Sequence, residues 1–234
     1  MAEPDGNEGR GGLARLVLAA AVLAGVSYVG ASSLALPLAV GTAWKGSGVA
    51  LLAVYAALKA RRLDGWLICA VMGFGALGDM LIEVLGLTAG ALAFLAGHLV
   101  AIGLYLRNAR PTPSLSQRLL AAAIMPATVA VAFLLPADRA GAPGVALYAL
   151  GLSVMAATAW LSRFPRYRVG VGALMFVASD LLIFARAGPL HGASWIGLAI
   201  WGLYFAGQAL VCLGVTRGLS EAGSPGAGAA SLHA

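Results

Sequence analysis

Apolar blocks, each close to twenty residues long, alternate with short polar or basic stretches along almost the whole chain. A run of about 20 apolar residues crosses the hydrocarbon of a bilayer as a helix. A membrane barrel would instead show short segments of alternating polarity. The blocks predict an all-α, polytopic transmembrane helix bundle of about eight spans, at 13–29, 34–58, 66–85, 88–106, 119–135, 143–161, 169–185 and 194–215. The first block is long and runs on into more apolar sequence, so it reads as a retained span rather than a cleaved leader. The polar, Gly-rich stretch 1–12 and the Gly, Ala and Ser of 218–234 read as disordered tails around a transmembrane domain of residues 13–217.

Composition supports the same reading. Of 234 residues, 61% are hydrophobic and only 10% charged, far from the quarter charged of a typical soluble domain. The net charge of +6 does not point to nucleic acid, because the basic residues collect at the ends of apolar blocks. Arg10, Arg15, Lys59, Arg61, Arg62, Arg107, Arg110, Arg118, Arg163, Arg166, Arg168 and Arg217 fall on one side of the predicted topology. Arg139 and Arg186 fall on the other, and Lys45 lies within a span. Basic residues accumulate in cytoplasmic loops, so this asymmetry predicts a cell-membrane protein with both termini cytoplasmic. Cys69 and Cys212 both lie in apolar blocks. They lack the spacing of a zinc site and read as small core residues.

Two short echoes divide the chain in half. Gly78-Asp79-Met80-Leu81-Ile82 resembles Ser179-Asp180-Leu181-Leu182-Ile183, and Ala96-Gly97-His98 resembles Ala206-Gly207-Gln208. The matched spans run in the same direction, which suggests a parallel repeat of four spans plus four.

Lys45, Asp79, Glu83, His98 and Asp180 are the ionisable side chains placed inside predicted spans. Each is costly in hydrocarbon, by at least about 2.5 kcal/mol for the charged types, and such groups turn to the bundle interior and mark functional sites. Asp79 and Asp180 lie about 13 and 11 residues from the basic ends of their spans, hence at similar depth. His98, Lys45, Tyr204 and Gln208 fall near the same level. Glu83 follows Asp79 by one turn, toward the interface. Tyr105 and Tyr148 suit an interfacial aromatic belt, Tyr105 in particular because Arg107 is beside it.

Two carboxyls in one low-dielectric site suit general acid–base chemistry. One keeps its proton, while the other, held ionised by Lys45 or His98, takes a proton from water. Such a pair fits hydrolysis of an acid-labile bond. Ser179 adjoins Asp180 in sequence and so points about 100° away from it on a helix, which disfavours an acyl-transfer triad. His98 is the one histidine within a span, so a zinc site is weakly supported, and no metal or organic cofactor is required. A proton-coupled transporter and a metal-dependent lipid hydrolase are the competing classes, since both also use buried ionisable groups.

The succession of Lys45, Gly78-Asp79, Gly97-His98 with Tyr105, Ser179-Asp180, and Tyr204 with Gln208 resembles the YhhN family of membrane proteins, whose characterised members are lysoplasmalogenases. Glu83 stands outside that pattern. The resemblance covers nearly the whole chain between the tails. It implies hydrolysis of the vinyl-ether bond of a lysolipid drawn from the bilayer, yielding a fatty aldehyde and a glycerophospho-head group. Asp79 and Asp180 would be the catalytic carboxyls. His98, Tyr204, Gln208 and Ser179 would be supporting groups, and Lys45 would bind phosphate or tune an aspartate.

Overall fold

Strong apolar character and the few breakers inside each block leave the backbone no way to satisfy its hydrogen bonds in lipid except as helix. A computed structural model describes residues 6–222 and realises each block as one helix. In chain order these are α1 (Gly6–Ser27, continued by a 3-10 turn at Tyr28–Ser33), α2 (Leu38–Lys59), α3 (Leu63–Leu85) and α4 (Leu87–Arg107). They are followed by α5 (Leu115–Leu134), α6 (Ala142–Leu161), α7 (Val169–Arg186) and α8 (Ile196–Ala222). All eight are long and apolar enough to cross a membrane, and the chain is an integral membrane protein. The expected tails lie partly outside the described residues. Within them, α1 already begins at Gly6 and α8 continues to Ala222, so residues 6–12 and 218–222 are helical.

Local signals explain the boundaries. Gly86, at φ +87°, takes a backbone conformation closed to most side chains and lets α3 turn directly into α4. Ser114 and Gln117 form a reciprocal capping box that starts α5. At the basic ends of the helices the α4–α5 and α6–α7 connections are tied together: Arg110 N–H donates to Leu161 O and Arg163 N–H to Asn108 O. Asp64, at the start of α3, accepts from Arg107 Nε at 2.8 Å and from Asn108 Nδ2 at 3.0 Å at the end of α4.

The bundle is apolar outside, and its largely apolar interior holds the buried polar side chains. On α4, Leu92, Leu99 and Leu106 are 59–64% exposed and form one stripe at heptad spacing, facing lipid. Phe94, Gly97, His98, Ala101 and Tyr105 occupy the buried face. Consecutive helices pack on one another except α4 and α5, and beyond that α2 lies on α8 as α6 lies on α4. That pairing has the symmetry a parallel repeat requires, although the contact of α3 with α8 has no equally packed counterpart between α7 and α4. Helices α7 and α8 approach closely at Gly172 and Gly207, where a Cβ on either would sit 2.7 Å from the other's carbonyl oxygen. Small residues at such crossings let membrane helices touch backbone to backbone.

Candidate active site

Asp79 lies six residues before the end of α3, and Asp180 six before the end of α7. Both are therefore about 9 Å inside the bundle from the face opposite the arginine-rich one, and both are buried, at 2% and 5% exposure. Each carboxyl accepts a hydrogen bond from a tyrosine on another helix. Tyr204 of α8 donates to Asp79 Oδ2 at 2.7 Å, with a longer contact of 3.3 Å to Gly75 O. Tyr148 of α6 donates to Asp180 Oδ2 at 2.6 Å. Both lengths lie at the short end of the range for O–H···O hydrogen bonds.

His98 does not reach an aspartate directly. Its Nε2 lies 3.2 Å from the Tyr148 oxygen. The one hydroxyl hydrogen of Tyr148 is directed at Asp180, so this contact requires the histidine hydrogen on Nε2. His98, Tyr148 and Asp180 thus form a single chain of hydrogen bonds across α4, α6 and α7.

The Phe176 ring joins the two halves of the site. Its centroid is 5.0 Å from that of His98 and 5.3 Å from that of Tyr204, both edge-on. Phe94 closes the group, at 5.7 Å from Tyr204 and 5.8 Å from Phe176. On the arginine-rich side of this cluster lies a cavity of about 20 Å³, bordered by Gly75, His98, Ala101, Tyr105, Phe176 and Gln208. That is room for about one water. Gln208 and Tyr204 meet beside Gly75, where a Cβ would sit 2.7 Å from Gln208 Nε2 and 3.4 Å from the Tyr204 hydroxyl.

The remaining candidates fall elsewhere. Lys45 does not neutralise either aspartate by contact, because its Nζ donates to Glu83 Oε1 at 2.6 Å. Ser179 is buried but turned away, donating from Oγ to Ile200 O at 3.0 Å, and so fastens α7 to α8. Tyr105 is 1% exposed rather than interfacial, and its hydroxyl has no hydrogen-bond partner among the described residues. Tyr148, which also suited an aromatic belt, belongs to the site. Its depth could have announced it: Tyr148 is six residues from the start of α6, the level of Asp180 on α7. Phe176 carries no sequence signal beyond being apolar. Among the described residues no three His, Cys, Asp or Glu side chains gather as metal ligands.

Comparison with known proteins adds an independent line. The pattern of the YhhN family matches residues 40–215. Two curated relatives, each named lysoplasmalogenase, come from Mycobacterium bovis and Mycobacterium tuberculosis. Each is 34% identical over 182 residues, covering 74% of this chain and 69% of the relative. No solved structure matches the chain.

Proposed function

The chain belongs to the YhhN family, and from that premise we propose that it is a membrane hydrolase cleaving the vinyl-ether bond of lysoplasmalogen-type lysolipids. The observation that carries the reading is the pair of tyrosine-bonded carboxyls at equal depth, Asp79 and Asp180, with the Phe176 ring packed against both Tyr204 and His98. The names of the two mycobacterial relatives support the substrate class.

The bond to be cleaved is R–CH=CH–O–R′. A carboxylic acid delivers its proton to the alkene carbon farther from oxygen, leaving R–CH₂–CH=O⁺–R′. Water adds to the carbon bonded to oxygen, and its proton passes to the second carboxylate. The resulting hemiacetal collapses to the aldehyde R–CH₂–CHO and the alcohol R′–OH, consuming one water in all. Asp79 and Asp180 divide the acid and base roles, each through the carboxyl oxygen that its tyrosine does not hold. Tyr204 and Tyr148 orient the carboxyls, and His98 fixes Tyr148. Gln208 and the small cavity beside it place the water. The developing oxocarbenium ion is stabilised by the carboxylate and by the aromatic faces of Phe94 and Phe176. The substrate's single chain enters sideways from lipid between helices, and the reaction needs no cofactor.

The test is aldehyde release from a 1-alkenyl lysophospholipid by the purified protein in detergent, compared with Asp79→Asn and Asp180→Asn. Each variant should lose at least about 100-fold in kcat, the lower range for removal of a general acid or base. Near wild-type turnover in either one would remove the two-carboxylate mechanism.

A further inference from the structure

Helix α1 takes no part in the chemistry above, and the YhhN pattern begins at residue 40, after it. Its outer face is bare: Leu16 and Leu23 are 70% and 71% exposed, on the lipid side. Its last turn, however, is tied to the helices of the site. Where the α-helical hydrogen-bond pattern gives way to the 3-10 turn, carbonyls lose their regular partners. Gly25 lies in that turn, and the Trp201 indole of α8 donates to its carbonyl oxygen at 2.8 Å in a buried hydrogen bond. Ser27 Oγ accepts from Trp44 Nε1 of α2 at 3.0 Å.

Only glycine fits at this junction. A Cβ on Gly25 would run into the Phe205 ring, and one on Gly48 of α2 would sit 3.0 Å from Gly25 Cα. Phe205 stacks on Trp201, at 6.0 Å between centroids and 10° between planes. Tyr28 lies against the same indole at 4.5 Å. Trp201 is thus held by its N–H and by two rings.

What Trp201 holds in turn is Tyr204. Their centroids are 5.6 Å apart, and Phe94 and Phe176 complete the surround of the Tyr204 ring at 5.7 and 5.3 Å. The placement of that ring decides a hydrogen bond, since its hydroxyl has two acceptors in reach. Asp79 Oδ2 is at 2.7 Å, and Gly75 O, one turn earlier on α3, is at 3.3 Å. The hydroxyl carries one hydrogen, so a small shift of the ring would hand it from the carboxyl to the backbone.

We propose that Trp201 is a positioning residue for the Asp79 half of the site, and that α1 is the brace that fixes it through Gly25. Trp201 touches no reacting atom. It keeps the Tyr204 hydroxyl on Asp79, and a misplaced catalytic group costs rate even when binding is intact. The other half of the site lies apart from this brace. Tyr148, His98 and Asp180 stand on α6, α4 and α7, whereas α1 packs on α2 and, at Gly25, on α8.

The inference rests on the vinyl-ether reading for its kinetic test, so a second test does without turnover. Kinetics compare wild type, Tyr204→Phe, the double variant and Trp201→Phe, which keeps a ring but lacks the indole N–H. Trp201→Phe should lower kcat about 3- to 10-fold with KM nearly unchanged, the equivalent of one neutral hydrogen bond. In the Tyr204→Phe background the same change should cost nothing further, because its target is gone. An additive loss in the double variant, or wild-type kcat in Trp201→Phe, overturns the proposal. The second test labels the protein in detergent with dicyclohexylcarbodiimide, an apolar reagent that attacks protonated carboxyls, and locates the adducts by mass spectrometry. Trp201→Phe and Tyr204→Phe should each speed labelling of Asp79 several-fold and leave that of Asp180 unchanged. This outcome supports the brace even if wild type cleaves no alkenyl lipid, a result that would overturn the vinyl-ether reading alone. Asp79 labelling at the wild-type rate in Trp201→Phe overturns the brace. So does equal acceleration at Asp180, which would mean a general loosening of the bundle. If Trp201→Phe does not fold, Trp44→Phe, which releases Ser27 and loosens α1 from α2, should show the same selective rise at Asp79, and no rise there overturns the proposal.

Discussion

Tyr204 on α8 gives its hydroxyl hydrogen to Asp79 on α3 across 2.7 Å, and the partnership has a counterpart in Tyr148 and Asp180 at 2.6 Å. Hydrogen bonds to a charged group contribute about 1.5–3 kcal/mol. If the tyrosines hold the carboxyls in register for proton transfer, Tyr204→Phe and Tyr148→Phe should each lower kcat by about 10- to 100-fold. The check is steady-state kinetics beside thermal unfolding of each variant. A fall in melting temperature with kcat intact would make the tyrosines structural supports only.

Phe176 touches both His98 and Tyr204 and is 6% exposed. Phe176→Leu keeps an apolar side chain of related size but removes the ring face. Loss of a desolvated cation–π contact, about 1–2 kcal/mol, should lower kcat roughly 5- to 30-fold. Ki for a saturated-ether competitor, which forms no cation, should change far less. Equal effects on inhibitor binding and kcat would assign Phe176 to packing alone.

Tyr105 presents a different case, since it lines the small cavity and its buried hydroxyl has no hydrogen-bond partner among the described residues. An unsatisfied buried hydroxyl costs about 1–3 kcal/mol. Tyr105→Phe should therefore unfold at the same or a higher temperature than wild type. A variant that melted well below wild type would mean that the hydroxyl is bonded, through water, to a neighbour such as Gln208.

The α7–α8 crossing should be equally sensitive to size. A methyl on Gly207 would meet Gly172 O at 2.7 Å, and backbone cannot swing aside as a flexible side chain can. Gly207→Ala should destabilise the bundle by about 1–3 kcal/mol, the usual range for overpacking. It should also impair turnover, because α7 carries Asp180 and α8 carries Tyr204. Reconstituted protein with wild-type melting and activity would show that the two helices separate freely.

Much of the architecture was readable from the chain because the signal is local. Hydropathy summed over about twenty residues decides whether a segment can live in hydrocarbon, and all eight helices lie where their apolar blocks do. The rarity of ionisable groups in those blocks singled out Asp79 and Asp180, and counting residues from a helix end already placed them at one depth. Partner choice was a different matter. Lys45 joins Glu83 rather than an aspartate, His98 reaches Asp180 only through Tyr148, and Ser179 turns to the α8 backbone. Each depends on how far a helix is rotated about its axis and how closely its neighbour approaches.

The sequence by itself thus determined the solvent, the number and approximate positions of the spans, and the similar depth of the two carboxyls, since these follow from the free energy of each segment in lipid. Only the tertiary structure decided that a tyrosine hydrogen-bonds to each aspartate and that Phe176 packs against both Tyr204 and His98. Helix rotation and spacing are set by contacts between distant segments, such as Gly172 against Gly207, and no property of a single stretch of chain contains them.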